Sequence, residues 1–334
     1  MKIAINGFGR IGRAVFKIAL EKGLEVVGIN DLTDTKTLAY LIKHDTVYGI
    51  YEKPVDFDEE NLMVGDKKYR VYSQKDPANL PWRDLEVDVV LECTGVFRDR
   101  ESCQKHLDAG AKKVIISAPS KSGDIKTFVP GVNESQYQGE DIIDMASCTT
   151  NCIAPVVKIM HQNFGVKKAI MSTIHAYTAD QNLIDGPHKD LRRARTAGQN
   201  IIPTSTGAAR ATTKTIPDLQ GKFDGMAMRV PVACGSLADI TFLLEKNVTK
   251  EEVNNAIIKE ADNPEMKNVI MGMLDEMVSS DVIGNSFSSI VDLHLTQVVD
   301  GDLVKIIAWY DNEWGYATRL VEMVEMIMNN NKSY

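Results

Sequence analysis

Residues 2–12 read KIAINGFGRIG, an apolar strand pattern that runs directly into a glycine-rich turn. Glycines at the spacing G-x-G-x-x-G are weakly specific on their own, so the flanking elements matter. A helical pattern follows over residues 10–22 and ends at Gly23, as a C-cap glycine does. A second strand pattern over residues 24–30 leads to Asp31. Asp31 lies 19 residues after Gly12, close to the spacing expected of an acidic residue that binds a ribose. This order of elements predicts a dinucleotide-binding βαβ unit at the start of the chain.

Each glycine of this turn has a separate physical task in such a unit. Gly7 permits the tight turn, Gly9 lets the backbone approach a pyrophosphate, and Gly12 lets the helix pack on the sheet. The helix N-terminus then faces the phosphates. Asp31 can accept hydrogen bonds from both ribose hydroxyls of NAD and would repel the 2′-phosphate of NADP. The alternative is a glycine-rich turn beside an incidental aspartate.

Strand and helix patterns continue to alternate through the first half of the chain. Buried strands are predicted over residues 87–92, 113–117 and 142–145, and a helix over residues 101–109. This alternation predicts an α/β fold, a Rossmann-type doubly wound parallel sheet with right-handed crossovers, as a domain of residues 1–147.

The patterns change after Cys148. A capping box at residues 249–252 begins a helix, and the apolar spacing beyond residue 313 predicts a C-terminal helix, 314–334, that packs back onto the first domain. We expect an α+β catalytic domain over residues 148–313, with a mixed, largely antiparallel sheet. Its strands are predicted at residues 168–177, 225–232, 238–246, 289–299 and 303–310.

Composition narrows the class of protein. The 334 residues are 44% hydrophobic and 25% charged, which is typical of a globular chain long enough for two domains. A formal net charge of −8 argues against nucleic-acid binding. No apolar run approaches the roughly 18 residues of a membrane span, and the chain begins directly with a strand pattern, so we expect neither a membrane segment nor a signal peptide. Five cysteines without disulfide-framework spacing favour reduced thiols and a cytoplasmic location.

Residues 147–152 read SCTTNC and lie between a short strand pattern at 141–146 and a helical pattern at 152–160. Cys148 is therefore expected at a helix N-terminus, where unpaired N–H groups and the helix dipole favour an anion. A thiol in that position has a lowered pKa and acts as a nucleophile, although a buried structural cysteine is a common alternative. No second Cys/His pair at zinc spacing accompanies Cys148 and Cys152, so no metal site is predicted.

His175 lies near the end of the strand pattern over residues 168–177, at a sheet edge where a cleft can form. An imidazole there can stabilise a thiolate as an ion pair and then transfer a proton to or from an oxygen. By position alone, a structural histidine with satisfied hydrogen bonds is the more common case. Three other histidines fall on predicted helices or their edges and are interpreted as surface residues: His44, His106 and His161.

Two further segments are suited to anions. Residues 204–209, TSTGAA, offer hydroxyl and N–H groups just before a helix, as a phosphate site requires. Residues 228–231, MRVP, place Arg229 in an otherwise apolar strand, where a cation needs an anionic partner. That partner is either a bound anion or a carboxylate of the protein itself.

Together these pieces resemble the family of phosphorylating glyceraldehyde-3-phosphate dehydrogenases, and the resemblance covers essentially the whole chain. Seven motifs in the family's order carry it: INGFGRIGR (5–13), ASCTTNC (146–152), HAYT (175–178), PHKDLRR (187–193), STGAA (205–209), MRVP (228–231) and WYDNEWGY (309–316).

The resemblance implies NAD-dependent oxidative phosphorylation of D-glyceraldehyde 3-phosphate. Cys148 would attack the aldehyde carbon to form a thiohemiacetal, with His175 activating the thiol and taking the hydroxyl proton. Hydride transfer to the nicotinamide would leave a thioester, which inorganic phosphate would attack to release 1,3-bisphosphoglycerate.

By matching position, the resemblance also implies roles for binding residues. The substrate phosphate would be held by Thr178 and Arg229, and the attacking phosphate by Ser147, Thr149, Thr206 and Gly207, assisted by Arg193. Contacts with NAD would come, besides the three glycines and Asp31, from Arg10, Ile11, Leu32, Lys75, Ser117 and Asn312.

The resemblance further implies a homotetramer, in which the loop over residues 180–202 reaches toward a neighbour's cofactor. Residues 232–237 depart from the Thr/Pro-Asn-Val-Ser run that is common in the family. Two alternatives remain open. One is an erythrose-4-phosphate dehydrogenase on the same scaffold, which diverges at the HAYT and STGAA motifs. The other is a non-catalytic binding protein, which the presence of Cys148 and His175 disfavours.

Overall fold

A computed structural model describes residues 1–330, and the chain divides into two compact units. The first unit comprises Met1–Phe128, Gln136–Ala146 and the C-terminal segment that begins at Ala317. The second unit comprises Val129–Ser135 and Ser147–Tyr316. The second unit therefore resumes one residue before the boundary predicted at residue 148, and it also takes in a short earlier segment.

The first unit is built on a nine-stranded sheet. Its elements are β1 (Lys2–Asn6), α1 (Arg10–Glu21), β2 (Glu25–Asn30), α2 (Thr35–Lys43), β3 (His44–Asp45), β4 (Gly49–Ile50), β5 (Val55–Phe57), β6 (Asn61–Val64), β7 (Lys67–Tyr72), β8 (Val89–Glu92), α3 (Arg100–Asp108), β9 (Lys113–Ile116), β10 (Lys126–Thr127) and β11 (Ile142–Asp144).

The order of this sheet is β10-β11-β9-β8-β1-β2-β7-β6-β5, and every pair from β10 to β7 is parallel. This confirms the Rossmann-type prediction. The strands β5, β6 and β7 form an antiparallel edge that the prediction does not contain. Gly23, with a φ of 72°, follows the end of α1 as predicted, because a residue without Cβ adopts this conformation at little cost.

His106 lies in the core of the first unit, so the prediction of a surface position is wrong. The side chain is fully buried, and the indole N–H of Trp82 donates to its Nδ1 at 3.0 Å. On the other side, Nε2 of His106 lies 3.2 Å from Oε2 of Glu92. Partners from distant parts of the chain thus satisfy both ring nitrogens, which removes the cost of burying them.

The second unit is built on an eight-stranded sheet packed against helices. Its elements are α4 (Cys148–Phe164), β12 (Val166–Ala176), β13 (Ile202–Ser205), α5 (Ala208–Thr215), β14 (Phe223–Val230), β15 (Ser236–Leu244), α6 (Lys250–Ala261), β16 (Ile270–Met273), β17 (Ser289–Asp292), β18 (Gln297–Val299) and β19 (Leu303–Tyr310). The last helix, α7 (Trp314–Asn330), belongs to the first unit from Ala317 onward.

The order of the second sheet is β13-β14-β12-β15-β19-β17-β16, with β18 paired to β19. Two pairs, β12 with β14 and β16 with β17, are parallel, and the other pairs are antiparallel. This confirms the prediction of a mixed, largely antiparallel sheet. The single strand predicted over residues 289–299 is wrong, because a turn closed by the Leu295 N–H and the Asp292 carbonyl splits it into β17 and β18.

Helix α4 begins where the sequence places a capping residue. Ser147 is the N-cap, and its Oγ accepts a hydrogen bond from the Thr150 N–H at 3.1 Å. The helix packs its apolar face into the core of the second unit through residues such as Ile153, Val156 and Val157. Cys148 is thereby fixed as the first helical residue. No helix within residues 1–330 is long and apolar enough to cross a bilayer.

Candidate active site

A cavity of about 410 Å³ opens in the first unit near the carboxyl ends of β1, β2 and β8. Ligands bind at this edge of open parallel sheets. Five of the residues predicted to contact a cofactor line this cavity: Gly7, Gly9, Asp31, Leu32 and Lys75. The other predicted first-unit contacts, Arg10, Ile11, Gly12 and Ser117, lie outside that lining, and Asn312 belongs to the second unit.

The three glycines of the turn differ in what a side chain would meet. A Cβ on Gly7, whose φ is 92°, would lie 2.6 Å from the Thr94 backbone nitrogen, and one on Gly12 would lie 2.0 Å from the Gly7 carbonyl oxygen. A Cβ on Gly9 would meet nothing within 4 Å. Packing within the turn therefore requires Gly7 and Gly12, whereas Gly9 leaves open a space that a pyrophosphate would fill. The cavity fits a dinucleotide on this ground.

Asp31 is oriented by two backbone donors. Its Oδ2 accepts the Phe8 N–H at 2.7 Å, and its Oδ1 accepts the Thr33 N–H at 2.9 Å. Each carboxylate oxygen keeps a lone pair for a ribose hydroxyl. Leu32 and Val96, which are 58% and 65% exposed, add apolar surface to the same cavity, as a planar base requires.

Arg10 is placed differently from the other predicted contacts. Its Nη1 lies 2.7 Å from Oδ2 of Asp45, and its guanidinium lies over the Tyr48 ring. The pKa of Asp45 is lowered, because hydrogen bonds and the charge of Arg10 outweigh burial. This ion pair holds Arg10 at the start of α1, beside the turn.

In the second unit, Cys148 and His175 meet. The Cys148 Sγ at the start of α4 lies 3.4 Å from Nε2 of His175, close to the end of β12. His175 is almost fully buried, whereas Cys148 keeps a partial opening to solvent. A nucleophile and a base within hydrogen-bonding reach are the arrangement that covalent catalysis needs.

The tautomer of His175 follows from its second nitrogen. Nδ1 lies 2.7 Å from the Ala176 carbonyl oxygen, and two lone pairs cannot face each other at that distance. The ring hydrogen is therefore assigned to Nδ1, and Nε2 presents its lone pair to the Cys148 thiol. Arg229 Nη1 also lies 2.8 Å from Nδ1. Since both nitrogens then carry hydrogens, Nη1 donates to the same carbonyl at 2.9 Å, which fixes the peptide on which the imidazole rests.

The electrostatics of the pair differ from the prediction. Burial raises the pKa of the Cys148 thiol, and the nearby charge of Arg229 and hydrogen bonds from Thr149 oppose this without cancelling it. The predicted lowering is wrong, because desolvation exceeds the effect of the helix N-terminus. Burial, followed by the charge of Arg229, lowers the pKa of His175 to about 3. The resting pair is a thiol that faces a neutral imidazole.

Arg229 is a cation without a carboxylate. It pairs with His175 in the register of β12 and β14, and burial lowers the pKa of its guanidinium. Within residues 1–330 it forms no ion pair, and its buried Nε has no hydrogen-bond partner. The intramolecular salt bridge that the sequence left open is thus not present among these residues. A partly buried guanidinium without a carboxylate partner favours binding of an anion.

The remaining predicted anion ligands differ in whether another group of the protein already pairs with them. Gly207 caps α5 without a side-chain hydrogen bond, and the Oγ1 of Thr206 accepts from the Ala208 N–H at 3.2 Å. Arg193 is engaged, since its Nη1 pairs with Asp180 and its Nε donates to Thr204 at 2.9 Å. A phosphate contact of Arg193 would therefore compete with an existing ion pair.

Comparison with known proteins adds to this geometry. Residues 1–100 match the model of the glyceraldehyde 3-phosphate dehydrogenase NAD binding domain, and residues 147–312 match that of the C-terminal domain of the same enzyme. The chain is 53% identical over 332 residues to glyceraldehyde-3-phosphate dehydrogenase of Thermotoga maritima, which covers 98% of this chain and 99% of that protein. The enzymes of that name from Geobacillus stearothermophilus and Streptomyces coelicolor are 50% and 49% identical over 330 and 333 residues. These matches cover 98% of this chain and 98% and 99% of the two relatives.

The chain belongs to the glyceraldehyde 3-phosphate dehydrogenase family.

Membership of this family confirms the resemblance drawn from the seven motifs and the two-part architecture. It also confirms NAD as the cofactor of the first unit, whose glycine-rich turn lies within the matched NAD binding domain. The roles of individual residues stay predictions, since family membership alone does not test them.

Two residues of the site were not predicted from the sequence. The hydroxyl of Tyr310 lies 2.9 Å from Oγ1 of both Thr149 and Thr173, and its ring meets the His175 ring edge to face. Ser236 contacts the Ala176 peptide and Asn312. Tyr310 lies in a motif that carries the family resemblance, and the burial alternation of β19 is a signal that could have pointed it inward.

Gly9→Ala is expected to weaken NAD binding about tenfold or more while leaving the fold intact, because the new methyl group projects into open space that the pyrophosphate needs. Isothermal titration calorimetry measures the affinity, and circular dichroism checks the fold. Gly123→Ala is the matched control, since a Cβ there also meets open space but lies outside the cavity. Unchanged affinity in Gly9→Ala would contradict the assignment of this turn to the pyrophosphate.

Proposed function

We propose that this chain catalyses the NAD-dependent oxidation and phosphorylation of D-glyceraldehyde 3-phosphate to 1,3-bisphosphoglycerate. The observation that carries the proposal is the 3.4 Å approach of Cys148 Sγ to a neutral His175 beside the unpaired cation Arg229. A nucleophile, a base and an anion site are the groups that a phosphorylated aldehyde requires. Relatives about half identical over the whole chain bear the name of this activity.

Cys148 and His175 act together in this proposal. The His175 Nε2 takes the thiol proton as Sγ forms a bond to the aldehyde carbon, and the aldehyde oxygen receives a proton to give a thiohemiacetal. Bound NAD supplies the hydride acceptor that oxidation of this carbon requires. His175 then takes the hydroxyl proton, and Cys148 carries the acyl group as a thioester. Attack by inorganic phosphate on the acyl carbon breaks the C–S bond and restores the thiolate.

The cofactor is held in this proposal by the cavity of the first unit. Gly9 and the uncapped N-terminus of α1 receive the pyrophosphate, and Asp31 accepts the ribose hydroxyls. The remaining predicted contacts are those of the family resemblance: Arg10, Ile11, Leu32, Lys75, Ser117 and Asn312.

Two anion sites serve the two phosphates. Thr178 and Arg229 hold the phosphate of the substrate. Arg229 is suited to this role because it is a guanidinium without a carboxylate partner among residues 1–330. The attacking phosphate is held at the start of α4 and at the uncapped start of α5, by Ser147, Thr149, Thr206 and Gly207.

We also propose that the chain works as a cytoplasmic homotetramer. Apolar side chains lie exposed on the sheet of the second unit, at Ile170, Met226 and Leu303. Others are exposed on the loop over residues 180–202: Leu183, Ile184, Leu191 and Ile201. Exposed apolar surface of this kind is typical of subunit interfaces and supports the proposal.

Formation of NADH from glyceraldehyde 3-phosphate and NAD, with and without inorganic phosphate, tests the function. Sustained formation that requires phosphate is the expected result, because phosphate releases the acyl group from Cys148. Sustained turnover without phosphate would mean that water resolves the thioester and that the second anion site is wrongly assigned. Turnover of erythrose 4-phosphate but not of glyceraldehyde 3-phosphate would identify the chain as an erythrose-4-phosphate dehydrogenase.

Arg229→Gln is expected to shift the alkylation of Cys148 by iodoacetamide to higher pH. The charge of Arg229 lowers the thiol pKa, so its removal raises that pKa further and reduces the thiolate fraction at any given pH. The KM for glyceraldehyde 3-phosphate should also rise, about 30-fold, because a charged hydrogen-bonding group is lost. The control is Arg210→Gln, an exposed arginine on α5. A shift of the alkylation profile to lower pH would contradict this electrostatic role.

A further inference from the structure

Asn312 is held by a clamp whose donors come from the segment that departs from the family's common sequence. The Gly235 N–H donates to Oδ1 of Asn312 at 3.2 Å, and the Ser236 hydroxyl lies 2.9 Å from the same atom. Ser236 Oγ also accepts the Ala176 N–H at 3.1 Å, so its own hydrogen points to Asn312. An atom that accepts two hydrogen bonds is the amide oxygen, which fixes the orientation of the side chain.

We propose that Ser236 is a positioning residue that fixes the amide orientation of Asn312, a predicted NAD contact, and holds His175 toward Cys148. This inference rests on the proposed function. With Oδ1 occupied by two donors, the NH₂ group of Asn312 is the part left to meet a ligand, and it can donate to a carboxamide oxygen such as that of nicotinamide. A side chain that was free to flip would present an acceptor there half of the time.

The second half of the clamp reaches the catalytic base through the backbone of one residue, Ala176. The N–H of Ala176 is held by Ser236, and its carbonyl accepts from His175 Nδ1 at 2.7 Å and from Arg229 Nη1 at 2.9 Å. The N–H and the carbonyl of Ala176, which belong to successive peptide groups, are therefore both held by residues of the site. Because Nδ1 must donate to that carbonyl for Nε2 to face the thiol, Ser236 supports the base-competent tautomer of His175.

Gly235 lies in this segment at a position that accepts no side chain. Its φ is 87°, and a Cβ there would lie 2.1 Å from the Ser279 carbonyl oxygen. Only glycine adopts this conformation so close to another backbone without strain. The turn delivers the Gly235 N–H to Asn312, and the neighbouring Cys234 thiol is buried against Asp311 at 3.2 Å. The segment is thus shaped to hold the Asp311–Asn312 turn.

Ser236→Ala tests the proposal by two readouts that need no substrate. We expect NAD affinity, measured by calorimetry, to fall about tenfold, since Asn312 loses one of its two orienting donors. We expect the alkylation of Cys148 by iodoacetamide in the apo protein to slow about threefold, because the Ala176 peptide is released. Ser288→Ala is the matched control, a buried serine of the same unit whose Oγ has no hydrogen-bond partner within residues 1–330.

Asn312→Asp tests the effect of the clamp on NAD binding separately from its effect on His175. It is also the variant to use if Ser236→Ala does not fold. Its carboxylate still accepts from Gly235 and Ser236 but offers no N–H, so NAD affinity should fall while the alkylation rate stays within about twofold of wild type. The proposal is overturned if Ser236→Ala matches Ser288→Ala in both readouts, or if Asn312→Asp binds NAD like wild type. A wild-type protein that binds NAD but does not oxidise glyceraldehyde 3-phosphate would contradict the proposed function and leave the clamp intact.

Discussion

Replacing Cys148 with serine is expected to reduce phosphate-dependent NADH formation by about 10⁴-fold or more. A hydroxyl in place of the thiol is far less acidic, so the neutral His175 cannot generate the nucleophile at neutral pH. The first unit is untouched by the change, and NAD affinity should stay within about twofold of wild type. Steady-state kinetics with glyceraldehyde 3-phosphate, together with calorimetry for NAD, checks both expectations.

The matched control is Cys152→Ala, one turn further along the same helix. Cys152 is fully buried, and its Sγ approaches only weak partners, the Ser289 hydroxyl at 3.9 Å and the Ala308 carbonyl at 3.8 Å. Its removal should keep most of the activity. If Cys148→Ser retained more than about one hundredth of the wild-type rate, the covalent mechanism would have to be abandoned.

Replacing His175 with asparagine is expected to lower kcat/KM by about 10²–10⁴-fold. Asparagine can still donate to the Ala176 carbonyl, but it has no basic nitrogen for the Cys148 thiol. Alkylation of Cys148 should slow as well, which separates loss of the base from loss of substrate binding. His161→Asn is the control, since His161 lies on α4 away from the pair, 3.7 Å from Asp218.

The pH dependence of this pair carries a second check. The pKa of His175 is lowered to about 3, so His175 does not change its charge near pH 6.5. The alkylation rate of wild-type Cys148 should therefore show no step near that pH. The rate should instead rise with pH as the thiol, whose pKa is raised, loses its proton. An acid limb near pH 6.5 that disappears in His175→Asn would show that the resting pair is charged.

Local sequence patterns were enough to predict the parallel sheet of the first unit and the mixed, largely antiparallel sheet of the second. The glycine turn, Gly23 at the end of α1 and the capping box before α6 each depend on neighbours within a few residues, and each is present. The antiparallel edge over residues 55–72 was not predicted, because short strands that are partly exposed lack a strong apolar alternation.

Two of the wrong predictions, the surface position of His106 and the lowered thiol pKa of Cys148, share a physical cause, which is contact between residues distant in the sequence. His106 is interpreted as a surface residue because it falls on a predicted helix, whereas its hydrogen-bond partners Trp82 and Glu92 explain its burial. The thiol pKa of Cys148 depends on how much protein surrounds it, which the helix N-terminus alone does not reveal. The catalytic pair itself was predictable as two candidates, but the 3.4 Å between them was not.

The unpaired cation at Arg229 also affects the folding equilibrium. A partly buried charge without a counterion makes the folded state less stable than it would be with that charge compensated. The unfolded chain has no such site, so an oxyanion that binds beside Arg229 shifts the balance toward the folded state, by about 2.7 kcal/mol at a hundred times its Kd. The resistance of this chain to heat and denaturant is therefore linked to the concentration of phosphorylated molecules around it, even when no reaction takes place.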